Sequence, residues 1–269
     1  MATFAVSDIH GCFDEFLDLL ELIDFTSSDK LYILGDVIDR GPKIAEMISF
    51  LATKPDNILL QWGNHEKMMQ WSFVGDWGDL DPDFSYFDKW LEVGGKETFE
   101  QIQAIPDKHL NRFYDIVFAA PYIRVGRVGD DDVIFAHAGL HVPDKEGLPL
   151  TYEDIAEQTS SDIIWGCPEW YANSSVLPCH VVFGHVPTSV LSKPDFLKDE
   201  GSGESAAFRC RDENVLAEGR QNHIMQYRNR HAIDCGCVHG GNLGCLRLDD
   251  WKAFHVPCRK EGGYDGALR

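Results

Sequence analysis

The chain has 269 residues, 44% of them apolar, enough to bury a full hydrophobic core. Its 44 acidic side chains against 24 basic ones give a formal charge of −20, a surface that repels nucleic-acid phosphates and excludes non-specific binding to DNA or RNA. No window approaches the ~18 apolar residues that cross a membrane, and "MATFAVSDIHG" lacks the basic lead of a secretory signal. A cytoplasmic setting is therefore expected, with most of the eight cysteines reduced and packed as small apolar side chains.

In chain order, the first apolar run is "TFAVSD" (3–8), followed by "CFDEFLDLLELID", whose apolar positions recur at three and four residues and predict a helix. "KLYILGD" (30–36) is the second strand, and "GPKIAEMISFLATK" a second helix with Pro42 near its start. "NILLQWG" (57–63) is the third strand; "FSYFDKWLEV" and "GKETFEQIQAI" predict two more helices. Further strands are expected at 132–138, 180–185, 231–236 and 243–249. Between them, 192–230 is polar, with "DEGSGES" at its centre, and reads as a long surface loop rather than a linker, because the strand pattern resumes directly after it. Strands alternating with helices, and no internal repeat, indicate one α/β domain over 1–269.

The ends of the strands carry the chemistry. The first run ends in Asp8-Ile9-His10-Gly11, the second in Gly35-Asp36-Val37-Ile38-Asp39-Arg40-Gly41, and the third in Gly63-Asn64-His65-Glu66. The fourth reaches His137 and the fifth His185. In α/β sheets the carboxyl ends of strands are where ligands bind. Carboxylate oxygens and imidazole nitrogens are donors that manganese, iron and zinc accept, and two such ions can clamp a phosphoryl group for in-line attack by water. Any one of these elements is weak alone; the ordered set is not.

The blocks D-x-H-G, G-D-x-x-D-R-G and G-N-H-E, with "FAHAGL" and "VVFGHVP" after them, resemble the signature of the phosphoprotein phosphatase family of binuclear metallophosphatases. "WLEVGGKETFEQI" and "IDCGCVHGGNLGCLRL" are similar to its small bacterial and phage members, including the diadenosine tetraphosphatase-like branch. The resemblance implies an α/β/β/α sandwich of two mixed sheets flanked by helices. It implies two divalent ions, manganese first, with iron, zinc or nickel as alternatives. Asp8 and His10 would hold the first ion, Asp36 would bridge both, and Asn64, His137 and His185 would complete the second. His65 would protonate the leaving oxygen with Asp39 orienting its ring, and Arg40 would pair with phosphate oxygens. If Asn64 and His65 lie on an extended tip, they point opposite ways, one to metal and one to substrate. Glu66 remains unassigned.

Three functions are expected in order. The first is hydrolysis of phosphoserine or phosphothreonine in proteins; the second is symmetrical cleavage of a dinucleoside polyphosphate. The third, from a different class, is a catalytically impaired metal-binding interaction protein, against which the intact His65, Asp39 and Arg40 count. One family feature is missing: Cys167 stands where small phage-type members carry a second phosphate-binding arginine. One of Arg209, Arg211, Arg220, Arg228 and Arg230 in the polar stretch is expected to replace it. Cys235, Cys237 and His239 have C-x-C-x-H spacing, but a packing role is favoured over a third metal site. Residues 71–90, rich in tryptophan and acids, read equally as a substrate-selecting cap or a packing segment.

Overall fold

The computed structural model describes residues 1–74, 86–141, 151–172, 177–192, 209–210 and 222–265. Strands β1 (Thr3–Val6), β2 (Lys30–Ile33) and β3 (Ile58–Leu60) pair in parallel, and β10 (Asn242–Arg247) and β11 (Lys252–Pro257) complete a sheet of order β11-β10-β1-β2-β3. The second sheet has the order β4-β5-β6-β9-β8-β7, from β4 (Ile123–Val128), β5 (Asp131–Ala136), β6 (His180–Phe183), β7 (Arg209–Cys210), β8 (Met225–Tyr227) and β9 (Arg230–Ala232). Both sheets mix parallel and antiparallel pairs.

The central strands are apolar on both faces because each face meets a different layer. Ala5, Leu34, Val133, Phe135, Val182, Ile233 and Leu246 form the seam between the sheets, where the ring of Tyr32 stacks on Phe135 at 4.3 Å. The alternate residues Phe4, Val6, Leu31, Ile33, Ile134, Val181 and Phe183 face outward into helices. Helix α1 (Phe13–Leu22) supplies Phe16 and Leu19, and α2 (Ile44–Thr53) supplies Met47, Ile48 and Leu51. Helices α3 (Asn64–Val74), α4 (Tyr86–Trp90), α5 (Lys96–Gln101) and α6 (Asp107–Ala119) follow, with a π-helical turn at Leu91–Gly95. Over the second sheet lie α7 (Tyr152–Ala156), α8 (Ser160–Trp165) and α9 (Pro168–Ala172), from which Ile163, Ile164 and Trp170 reach the core. Capping boxes start the first two, with Thr151–Asp154 and Thr159–Asp162 exchanging side-chain and backbone bonds. The result is the expected sandwich of two mixed sheets flanked by helices.

Three local expectations change. Helix α2 begins at Ile44, so Pro42 precedes it. Asn64 and His65 are not an extended tip but the first residues of α3. Strand β8 and the start of β9 fall inside the polar stretch 192–230, together with the two residues of β7. Most of that stretch, including Arg211, Arg220 and the side chain of Arg209, lies outside the described residues, as does 75–85 of the aromatic-acidic segment.

Among the described residues no helix is long and apolar enough to cross a membrane.

Candidate metal centre

Parallel register brings the motif residues together. Val6 lies opposite Ile33, and Ile33 opposite Leu60, so Asp8, Asp36 and Asn64 leave one sheet edge side by side. In the other sheet β5, β6 and β9 are parallel, and His137, His185 and Asp234 follow their carboxyl ends. The loops continue the pairing: His10 N donates to Asp36 O at 2.9 Å and Gly11 N to Val37 O at 2.9 Å, while Gly184 N reaches His137 O at 2.7 Å. This packing leaves no room at Gly63, where a Cβ would stand 2.1 Å from Asp36 Oδ1.

The backbone is held in an unusual conformation here. Among the described residues nine non-glycine residues have positive φ, and six of them are Asp8, His10, Asp36, Asp39, Arg40 and His185. Such conformations cost about 1–3 kcal/mol each and persist where the surroundings enforce them. Part of that enforcement comes from Glu66. Its buried carboxylate accepts the N–H groups of Gly63 (3.0 Å), Asp36 (2.9 Å) and Val37 (2.8 Å), tying the second and third strand-end loops together. Burial pushes its carboxyl up to about 7. Glu66→Gln places an NH₂ group against these donors, and a loss of ~10–100-fold in metal affinity is expected, as for other groups that orient ligands. Titration calorimetry with manganese measures it.

All nine expected residues converge. His10 Nδ1–H donates to Ile38 O at 2.8 Å and His137 Nδ1–H to Leu34 O at 2.8 Å, so both rings turn Nε2 toward Asp36 Oδ2, at 3.7 and 3.4 Å. Asn64 Oδ1 is 2.9 Å from His137 Nε2 and 3.0 Å from His185 Nδ1. Asp8 Oδ2 accepts Ser7 Oγ at 2.5 Å and His185 N at 3.0 Å. Two groups of donors, His10–Asp36–His65 and Asp36–His137–His185, each lie within 4.8 Å of one another and share Asp36. A carboxylate common to two nitrogen-rich clusters fits two divalent ions.

The charges support that fit. Burial opposes charge on Asp36, but His137 and His65 beside it outweigh burial and hold the carboxyl well below its usual range. Burial likewise favours a neutral His137, yet Asp36 pushes that imidazole up to about 10. Burial and then His137 drive His185 down to about 3; burial and then Arg40 keep His10 low as well. His10 and His185 are therefore neutral, whereas His137 carries a proton that a metal ion would have to displace. The His137–Asp36 pair stabilises the metal-free fold fully below the ordinary imidazole value of 6.5, and loses that contribution as pH rises through about 10. Below pH 10 an ion displaces the proton, so metal affinity is expected to rise about tenfold per pH unit. Calorimetry in buffers of different ionisation enthalpy counts the proton released.

His65 stands apart from the other donors in its second contact. Its Nδ1 is 2.6 Å from Asp39 Oδ2, and Asp39 is fixed in turn by Trp90 Nε1–H (2.8 Å) and by Thr98 Oγ1, which donates to Oδ1 at 2.5 Å and accepts Asp39 N at 2.9 Å. Arg40 lies beside it, with Nη1 3.1 Å from His10 Nε2, Nε donating to Val93 O at 3.3 Å, and Asp265 at 3.6 Å. Gly94, at φ 113°, accepts the Arg40 N–H on its carbonyl at 2.9 Å and leaves space for the side chain: a Cβ there would stand 2.4 Å from Arg40 Cγ. Trp90, Thr98 and Gly94 were not singled out in the sequence, and neither was Asp234, whose buried carboxyl is raised well above normal by burial and by Asp8. Asp234 had the same signal as its neighbours, an acid directly after an apolar run.

A cavity of about 550 Å³ opens over Asp8, His10, Arg40 and His185, with Lys96, Asp234 and His239 also on its walls. Cys167 is half-buried and its thiol contacts Leu140 O at 3.5 Å. Neither Arg228 nor Arg230 lines the cavity; Arg230 is buried over the Trp170 ring. Lys96 and Arg40 are the lysine and arginine side chains on the described walls.

The profile of the calcineurin-like phosphoesterases matches residues 1–217. A protein from Methylobacillus flagellatus named symmetrical bis(5'-nucleosyl)-tetraphosphatase is 25% identical, with 98% of each chain aligned. One of the same name from Acidovorax sp. is 27% identical over 96% of this chain and 97% of its own. Among solved structures, a putative diadenosine tetraphosphatase shares the fold with a TM-score of 0.56 at 20% identity, covering 95% of this chain and 92% of that one.

Proposed function

Because the chain belongs to the calcineurin-like phosphoesterase family and is a phosphate-ester hydrolase, we propose that its substrate is a dinucleoside polyphosphate, a dinucleoside tetraphosphate being cleaved symmetrically by water into two nucleoside diphosphates. The observation that carries this reading is the near full-length likeness to proteins named symmetrical bis(5'-nucleosyl)-tetraphosphatases. It displaces phosphoproteins, the first expectation from the motifs, in favour of the second. The cavity agrees: its volume exceeds what a bare phosphate fills, and Leu91, Val93, Pro187 and Val238 add apolar wall to its charged floor.

Asp8, His10 and Asp36 would hold one divalent ion, and Asp36, Asn64, His137 and His185 the other, with manganese the first choice for such oxygen and nitrogen donors. When bound, the ions supply Lewis acidity that neutralises phosphate charge and acidifies water. The chain's own residues do the rest. Arg40 offers its planar donors to phosphate oxygens, its Nε already tethered at Val93 O. His65 keeps Nδ1–H on Asp39 and presents Nε2–H to the oxygen that leaves when the P–O bond breaks. Asn64 and His65 are successive residues in the first turn of α3, and the helical rotation of about 100° between them separates ligand from proton donor.

Product analysis tests the substrate. Diadenosine tetraphosphate and a phosphoserine peptide are supplied together with manganese, and products are separated by ion exchange. ADP alone from the dinucleotide, with the peptide intact, is expected. Release of phosphate from the peptide with the dinucleotide untouched, or AMP and ATP as products, would overturn the reading.

A further inference from the structure

A second cluster of ligating side chains adjoins the cavity, whose lining includes one of its members, Cys237. Glu15 in the first turn of α1, Cys237 in the 3₁₀ turn Cys237–His239, and Cys258 just after β11 bring one donor atom each within 4.8 Å of one another. Cys237 also shares hydrogen bonds with both Cys258 and Cys12, the residue preceding α1. These positions are not the C-x-C-x-H set in the sequence. Cys235 turns into the seam between the sheets while Cys237 faces the helical layer, so the two thiols part company.

Glu15 supplies an independent sign of a missing partner. It is only 1% exposed, and its Oε1 accepts Arg259 N and Tyr264 Oη, each at 2.9 Å. Its Oε2 is buried with no hydrogen-bond partner. A buried carboxylate oxygen left without a donor is costly and calls for one. Zinc binds thiolate sulfur at about 2.3 Å and carboxylate oxygen at about 2.0–2.2 Å, so donors around one ion stand roughly 3.5–3.8 Å apart. A small contraction of the cluster reaches that spacing. Cys258 is only half-buried and gives an ion a way in.

We infer that Cys237, Cys258 and Glu15, with Cys12 as the fourth donor, form a zinc site whose donors are distinct from those around Asp36. Binding replaces the thiol protons with Zn²⁺ and releases them to solvent; no oxidant or reductant takes part. The ion would join α1 to the C-terminal turn, whose Asp265 reaches Arg40 Nε at 3.6 Å. Its role is therefore structural, holding the wall on which Arg40 rests.

Cobalt titration of the reduced, full-length protein tests this. Thiolate ligation gives a near-ultraviolet sulfur-to-cobalt charge-transfer band that the oxygen and nitrogen donors of the other centre do not produce. We expect that band in the wild type, its displacement by zinc, and its loss in C237S/C258S with cobalt d–d absorption of the other centre retained. In the wild type, zinc is also expected to protect Cys258 from iodoacetamide. A reduced wild-type protein without the band, or one whose Cys258 alkylates equally fast with and without zinc, would overturn the assignment, whether or not the double variant folds.

Discussion

His65→Ala is expected to lower kcat for diadenosine tetraphosphate by ~10² and for an alkyl phosphomonoester such as glycerol phosphate by up to ~10⁴, with metal content unchanged. The difference follows from the leaving group. A phosphate oxygen departs as a fairly stable anion and needs little help from an acid, whereas an alkoxide needs a full proton. The contacts of His65 suit the proposed role: its Nδ1 is 2.6 Å from Asp39, and Trp90 and Thr98 lock that carboxylate from the other side. Rates on both substrates, with metal content from mass spectrometry, check the prediction. Equal losses on both would mean that His65 positions something rather than donating a proton. Loss of an ion would mean that it is a ligand.

Asp36→Asn should be more damaging still. Asp36 Oδ2 lies 3.4 Å from His137 Nε2 and 3.7 Å from His10 Nε2, at the corner where both donor groups meet. Removing its charge weakens both ions together, and it also removes what keeps His137 charged in their absence. Several kcal/mol of transition-state stabilisation would go with the metals, about 10³-fold or more in kcat/KM. Inductively coupled plasma analysis should find both ions depleted in this variant. Retention of a full complement would refute the proposed bridging role of Asp36.

The sequence carried the centre of this molecule more clearly than its margins. The motif residues were visible because each follows a buried parallel strand, and such strands are continuous apolar runs. Strands β4, β7, β8 and β11 were not foreseen: β4, β7 and β11 are sheet edges, where "IRVGRV" and "KAFHVP" have at most one fully buried residue, and β8 is a three-residue strand inside the polar stretch. Helix α6 was also not foreseen, although it fully buries Phe113 and Val117 and packs Leu110, Tyr114 and Ile116 against the core. The groups that hold Asp39 were hidden for another reason. Trp90 and Thr98 reach Asp39 across 51 and 59 residues, and no local pattern marks such a contact. Glu66 was in view from the start, beside Asn64 and His65, but its three backbone partners belong to the loops of two different strands. The expectation of an extended tip failed because α3 begins at Asn64 itself, with no spacer between the strand-end loop and the helix.

The proposed function requires two ions that share Asp36 while His65 touches neither. Anomalous diffraction at the manganese edge, from crystals soaked in manganese, tests it most directly. Two peaks are predicted, both in contact with Asp36, one beside Asp8 and His10 and one beside Asn64, His137 and His185, with His65 Nε2 free to face substrate. A single peak coordinated by His10, Asp36 and His65 would contradict it, because that ion would occupy the nitrogen on which proton transfer depends.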